Sequence, residues 1–524
     1  MRGQGRLLEL ERRPEVAEEP APAVPLERLK LKRAERRQRV FGEIDVDRLI
    51  DEDDPARAIW ALTGRLDLGG FAAELRSQVG GQGRAAWEPR LLAAIWIWAY
   101  SQGITAAREI ERQCQWRPAL RWLCGLEVIN HHTLSDFRTA HGAALEEIFT
   151  QVLGVLSHAG LVDLEQVAVD GTRVRAQAST GSERRRGAIE KHLEQARERV
   201  RELGRQADAA DAESSNARRQ AARRRAAREK LERLEQALEQ VWQVAAGKRQ
   251  EADKQQARVS ETEPEARRQR ESNGGWATGY NAQLATDAKQ KIVVGVELSA
   301  MAADAPLLAA TLADVERRLG RTPGQVLADE GYNSRANIAA LEAAEIEFAT
   351  PAPAVEKGNA AAARAAGIAA GYEAKFFIWD EAARSFRCPA GKTLEYRRTS
   401  HKRGRVYRQY QANRSDCMKC EQRLRCCPNS YERGRLLSRA EEDELLARHR
   451  RWMASERARA AYRRRAETAE FPNAWLKERF GLRKFRVRGL VKARAELLWA
   501  VLAYNIQQWI RLVWRTGEPA AAAA

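Results

Sequence analysis

The chain has 524 residues, 44% hydrophobic and 31% charged, with a formal net charge of +18. That length suits two to four compact units with filled cores, and the positive balance is that of proteins that neutralise phosphates. The runs LLAAIWIWAY and LLWAVLAY are too short to span a bilayer, the first residues lack a leader's apolar core and cleavage site, and seven cysteines, five of them between 388 and 427, do not form a secreted disulfide framework. A membrane partner is excluded on these grounds, and a cytoplasmic location is expected.

Residues 1–40 are polar, dotted with proline, and end in LKRAERRQR, which predicts a disordered basic arm, either solvated or in contact with DNA. Residues 41–161 carry helical periodicity. RLLAAIWIWAYSQGI and LEEIFTQVLGVLSHAGL have apolar residues at spacings of three and four and end near glycine. The short helices and tight turns between them suit an all-α DNA-binding domain of helix-turn-helix type, and equally a small bundle. Residues 162–182 contain the strand VAVDGT. Residues 183–258 are rich in Arg, Glu, Ala and Gln, and Ile189, Leu193, Ala196, Val200 and Leu203 step by four and three, as do Leu231, Leu234, Leu238 and Val241. These seams predict two long helices folded back through DAADAESSN, a hairpin that dimerises, touches DNA or is simply solvated.

Over 259–385 the period changes to two. TGYNAQLATDA and KIVVGVELS read as neighbouring strands, APLLAATLADVERRLGR as a helix, QVLADEGY as a strand, ANIAALEAAEI as a helix and EFATPAP as a strand. This is a mixed α/β sheet with helices on its faces. A cysteine-rich insertion at 386–430, helices over 431–515 and a disordered tail at 516–524 complete the chain.

Three carboxylates stand at the ends or edges of these elements: Asp170 after the strand VAV, Asp329 after VLA, and Glu470 in the helical stretch AYRRRAETAEFPNAWLKERFG. Taken singly, an Asp before Gly is a turn residue and an exposed helical Glu is a solvated one. Adjacent parallel strands, however, deliver their C-terminal ends to one crevice, and three acids gathered there repel unless cations relieve them. Hard oxygen ligands select Mg²⁺ or Mn²⁺, and a pair of such ions serves phosphoryl transfer. Gly171 would then allow a nucleic-acid backbone to approach. Pro472 disfavours helix at Phe471, which places Glu470 at a kink or a helix start.

At these residues the sequence resembles the DDE transposases of bacterial insertion sequences, from about Phe41 to about Trp514. VAVDGTRVRAQAS looks like the family's first-aspartate motif and LADEGYNS like its second. In the third-acid region Tyr462, Arg465, Glu470 and Lys477 fit best; six residues separate Glu470 from Lys477 as expected, but four rather than three separate Arg465 from Glu470. The resemblance implies a ribonuclease-H-like catalytic fold in which Asp170, Asp329 and Glu470 hold Mg²⁺ or Mn²⁺. It further implies that Lys477 touches a DNA phosphate, that Tyr462 and Arg465 position the element's end, and that the 3′-hydroxyl freed by cleavage attacks target DNA. The implied partners are terminal inverted repeats, target DNA and a second copy of the chain, in the bacterial nucleoid.

Two further clusters stand out. In RFGLRKFRVRGLVKARAE, the residues Arg483, Lys484, Arg486 and Arg488 form a basic run interleaved with Phe480 and Phe485, readable as a partly buried helix with a DNA-contacting face. Cys388 in RCPAGKTL and Cys417, Cys420, Cys426 and Cys427 in CMKCEQRLRCC include one Cys-x-x-Cys pair. Four of them, Cys388, Cys417, Cys420 and Cys426, would suit a closed structural zinc site; reduced, unligated thiols are the alternative. Beside the transposase stand two rivals: a nuclease of the same fold without strand transfer, and an inactive relative that only binds DNA.

Overall fold

The computed structural model describes residues 43–72, 85–208, 217–248, 250–271, 274–351, 363–380, 382–402, 405–428, 433–440 and 444–516. The expected arm, the last residues of the tail and the hairpin turn at 209–216 lie outside them. The chain divides into Met1–Asp45 and Val46–Ala524; all that follows concerns the second unit.

Its N-terminal part is helical: α1 (Pro55–Thr63), α2 (Pro89–Ser101), α3 (Ala107–Gln113), α4 (Pro118–Leu123), α5 (His131–Ala140) and α6 (Gly142–His158). Proline at its first position suits the start of α2, and every residue from Leu91 to Ser101 is buried. A helix apolar on all sides must be central. The partner of α2 is the other apolar run of the sequence, in the C-terminal helix of the chain, Leu490–Trp509, which is buried along most of its length. The two runs that are too short for a membrane are thus the axis of the core. Among the described residues no helix is long and apolar enough to cross a bilayer.

The main sheet follows. Strand β1 (Gln166–Arg175) pairs antiparallel with β5 (Trp276–Asp287) along nearly its whole length, and β5 pairs antiparallel with β6 (Val293–Ser299) and, at its other end, with β4 (Arg267–Arg270). On the other edge, β1, β7 (Gln325–Leu327) and β8 (Glu347–Ala349) run parallel. Helices α9 (Leu308–Leu319), α10 (Arg335–Ala343), α11 (Glu444–Met453), α12 (Glu456–Ala474) and α13 (Leu490–Trp509) accompany them. This mixed sheet flanked by helices is the ribonuclease-H-like α/β class that the sequence implies.

Between β1 and β5 stand α7 (Arg186–Asp208) and α8 (Ala217–Ala246). Ile189, Leu193, Ala196 and Leu203 of the first helix and Leu234, Ala237 and Val241 of the second are buried. Among the described residues the heptad seam is buried between the two helices of the hairpin. Its feet are tied by the two-stranded ribbon β2 (Glu183–Arg185) and β3 (Arg258–Ser260). The cysteine-bearing segment belongs to a second, antiparallel sheet of β9 (Ile378–Asp380), β10 (Ser385–Arg387), β11 (Thr393–Lys402), β12 (Arg405–Ala412) and β13 (Leu436–Ala440), each paired with the next. It is wider than the cysteine run that marks it in the sequence.

A buried ionic network joins the helical layer to the main sheet. The Arg318 side chain is fully buried; its Nε donates to Asp314 Oδ2 at 2.9 Å, and its Nη1 to the Glu146 carbonyl at 3.0 Å. Arg494 donates to Glu146 Oε1 at 2.8 Å and to Glu297 Oε2 at 2.9 Å. Removing one member of such a network strands the others. Arg318→Ala is therefore expected to cost about 3 kcal/mol, the low end for a broken buried pair because Arg317 and Arg494 still face the acids. An unchanged urea midpoint would mean that the network holds nothing.

Candidate active site

The register of the parallel strands places the two aspartates level. Ala168 pairs with Leu327, so Asp170 and Asp329 each lie two residues beyond the last rung. The sequence puts Asp170 at the end of its strand, but β1 runs on to Arg175 because β5 pairs with it that far. What stops at Ala168 is the pairing with β7, and the crevice opens there.

Strand alternation divides the surroundings into two faces. Gly171, Arg173 and their partners Gln283 and Asn281 share one face. There Asp304 Oδ1 accepts from Asn281 Nδ2 (2.7 Å), Gln283 Nε2 (2.8 Å) and Arg173 Nη1 (3.1 Å). A Cβ on Gly171 would lie 2.4 Å from Gln283 Nε2 and 2.5 Å from Asp304 Oδ1. The glycine thus makes room for the protein's own side chains, not for nucleic acid as expected. Tyr332, fully buried, donates to Gln283 Oε1. Burial and the nearby aspartates push its hydroxyl pKa up.

Asp170 points to the opposite face, toward α12. Small residues bring that helix close: Ala461 and Ala469 pack on Ala168, Leu327 and Ala349, with Tyr462 beside them. Tyr462 is thus part of the helix–sheet packing. Asn473 Nδ2 donates to Asp170 Oδ2 at 2.9 Å, and Arg465 Nη1 lies 3.6 Å from Asp170 Oδ1, an ion pair too long for a hydrogen bond. The extra residue between Arg465 and Glu470 therefore does not take the arginine out of the site. Lys477 is half-buried; burial and Arg483 lower its pKa, and Asp170 pulls it back. Pro472 does not break the helix, contrary to expectation: α12 runs through it to Ala474 and continues as a π-turn over Trp475–Arg479.

Asp329 caps the turn after β7, its Oδ1 accepting from the Gly331 amide at 2.8 Å. Glu470 is exposed on α12, and among the described residues no three acidic, His or Cys side chains gather tightly enough to hold an ion. The structure thus brings Asp170 and Asp329 together with Arg465 and Lys477, and Glu470 is exposed on the helix that carries Arg465. Asn473 and Asp304 escaped the sequence analysis. Asn473 had a signal, since it lies two turns after Arg465 on one helical face; Asp304, in AMAADAPL, had none.

The basic run is not a helix either. Arg175 bridges Lys484, which extends the edge of β1, and Arg483, Lys484, Arg486 and Arg488 are exposed in alternation with buried Leu482, Phe485 and Val487. Phe480 and Phe485 are wholly buried. Arg483 pairs with Glu478, and Arg486 Nε donates to Thr105 Oγ1 at 3.3 Å.

Whether a divalent cation fits can be judged from the donors. Asp170 offers carboxylate oxygens beside Asp329. Asn473 Oδ1 is a buried oxygen without a hydrogen-bond partner, and Arg465 Nη1 is a similarly orphaned donor. An all-oxygen set with spare acceptor capacity suits a hard cation, and an orphaned Arg donor suits an anionic ligand.

Residues 249–506 match the family profile of the transposase DDE domain, and residues 44–140 that of the transposase domain DUF772. No curated protein and no solved structure matches the chain. The two profiles together cover about two thirds of the sequence, and the chain belongs to the DDE transposases of insertion-sequence type. It is a transposase by domain content, from a family that acts on DNA and uses divalent metal ions.

Burial raises the Asp170 carboxyl from the ordinary 3.8 to about 6; Arg465 opposes this, while Asp329 and Asp304 add to it. A folded-state value above the unfolded one means that ionisation costs stability. The penalty is absent below about pH 4, grows through pH 6, and is complete above it at about 3 kcal/mol. Asp170→Asn is therefore expected to raise the thermal midpoint of the metal-free protein at pH 7.5 and to leave it unchanged at pH 4. Equal shifts at both pH values would contradict this account.

Proposed function

We propose that this transposase cuts the ends of its insertion sequence and joins the freed 3′-hydroxyl to target DNA, with Asp170, Asp329 and Glu470 as ligands of a divalent-cation pair. The observation that supports it best is the level placement of Asp170 and Asp329 where the parallel ladder ends, beneath α12. Bound cations would supply an activated oxygen nucleophile and charge relief on the leaving oxygen. Glu470 is preferred to Asp304 as the third acid. It belongs to the helix that faces Asp170, whereas Asp304 is saturated by Arg173, Asn281 and Gln283 on the other face.

The chain's own groups would hold the DNA. Arg465 and Lys477, beside Asp170, would neutralise the scissile phosphate, and Asn473 would fix the rotamer of Asp170. Tyr462 would act through the packing of α12. Lys484, Arg486, Arg488 and, once released from Glu478, Arg483 form an exposed row that would follow a phosphate backbone. Two element ends must be handled together, so the active form would be a dimer on DNA, built through surfaces other than the hairpin's seam.

Incubation with supercoiled plasmid carrying the element ends and Mg²⁺ tests the reading. Joined products support transposition, nicks alone the nuclease, and bound but intact DNA the inactive relative. Asp329→Asn is expected to lower cleavage by about a thousandfold, or about 4 kcal/mol of transition-state stabilisation. Glu470→Gln should match that loss and Asp304→Asn should fall well short of it; the reverse order would transfer the third role to Asp304. Replacing Arg483, Lys484, Arg486 and Arg488 with glutamine should flatten the dependence of log affinity on log salt by about 0.9 for each phosphate that is no longer neutralised. An unchanged slope would remove that row from the DNA interface.

A further inference from the structure

The five cysteines of the second sheet line one cavity, together with Lys392, Asp416, Arg423 and Arg435. None forms a disulfide. Cys388 opens a tight turn over Pro-Ala-Gly-Lys: the Gly391 amide donates to the Cys388 carbonyl and the Cys388 amide to the Lys392 carbonyl, both at 2.8 Å. Gly391 takes the positive φ this turn requires (+81°). The result is that the Lys392 amide donates to Cys388 Sγ at 3.2 Å. On the opposite wall the Arg435 amide donates to Cys417 Sγ at 3.4 Å, and the Cys420 amide closes the Cys-x-x-Cys turn onto the Cys417 carbonyl. Cys388, Cys417 and Cys426 pack together on the module's apolar core, and Cys426 has Cys388, Cys417 and Cys427 among its electrostatic neighbours; Cys427 is hydrogen-bonded to Cys417.

Amides aimed at sulfur are the outer hydrogen-bond donors that orient a metal-bound cysteine, and sulfur is the donor a soft metal takes. The surroundings need such a cross-link. Among the described residues the buried apolar core of this sheet is Phe377, Leu394, Tyr410, Ala412 and Leu437, and small modules with so little core are commonly stapled by disulfides or a structural metal. Three cationic side chains around the cavity would offset the net negative charge of an ion held by four thiolates.

We infer that this module binds one structural zinc ion through Cys388, Cys417, Cys420 and Cys426. As the side chains stand, no three of them among the described residues meet at ligand distance. A change of χ1 at Cys420 and Cys426 would move those sulfurs without moving the backbone or the amide bonds to Cys388 and Cys417. Each thiol that forms a Zn–S bond gives up its proton to solvent, so binding and closure of the site are one event. The donors are sulfur, not oxygen, which separates this site from the carboxylate crevice and makes the inference independent of the proposed reaction.

The test is metal analysis of the full chain, purified under reducing conditions in chelator-free buffer, before and after exposure to zinc and desalting. About one equivalent of zinc per chain is expected. An organomercurial should release it as the thiols are titrated, and cobalt in its place should give the strong visible bands of a tetrahedral thiolate complex. Cys388→Ser and Cys417→Ser should each lose the metal, while Asp329→Asn keeps it. Less than about a tenth of an equivalent on the wild-type chain after exposure to zinc would overturn the inference whatever the variants do. So would zinc retained by both serine variants, or zinc lost in Asp329→Asn.

Discussion

A half-buried carboxylate beside other carboxylates is the constraint around which this molecule is arranged. Asp170 lies under a helix and near Asp329 and Asp304, and a fold tolerates that only if cations and dipoles are built in around it. Arg173 neutralises Asp304 from one face of β1, and Arg465 approaches Asp170 from the other. Lys477 is held half-buried close by. The alanines of α12 and its counterparts on the sheet bring these charges within range: with larger residues at Ala461 or Ala469, the helix would ride higher and the compensation would weaken.

The two apolar helices and the Arg318–Arg494 network fix the N-terminal helical layer to the same sheet. That layer is therefore no separately tethered module. Whatever it grips is positioned relative to the acidic crevice by a packed core, with Trp96, Trp499 and Phe149 among its fully buried side chains.

Much of this was legible in the residues. The change from helical to alternating periodicity located the sheet, and Asp170 and Asp329 declared themselves by following short apolar runs. Their level placement was not legible, because register depends on how β1 and β7 pair across a long stretch of chain. Pro472 misled because local preference was weighed without the tertiary packing of α12, in which Pro472 is buried, or the π-turn that follows it. Gly171 misled because the side chains that fill its space come from β5 and from the turn before α9. RKFRVR suggested a partly buried helix with a basic face, whereas alternation along an extended edge sends Phe485 and Val487 inward and the cations outward. Glu470 was legible only through its spacing from Lys477; its helix packs over Asp170, and its carboxylate is exposed.

The ribbon of β2 and β3 also shapes the order of assembly. Between Arg175 and Trp276 the chain makes a long excursion, yet Glu183 meets Ser260 and Arg185 meets Arg258 at its base. The hairpin closes on neighbours in sequence, an entropically cheap event, and once its feet are joined the strands on either side meet across a short effective loop. Even unclosed, the loop penalty rises only by about 0.6 kcal/mol per doubling of length. With the ribbon closed, the β1–β5 ladder, remote in sequence, needs only a short effective loop, so the appendage on the central strand adds little to the entropic cost of forming the sheet.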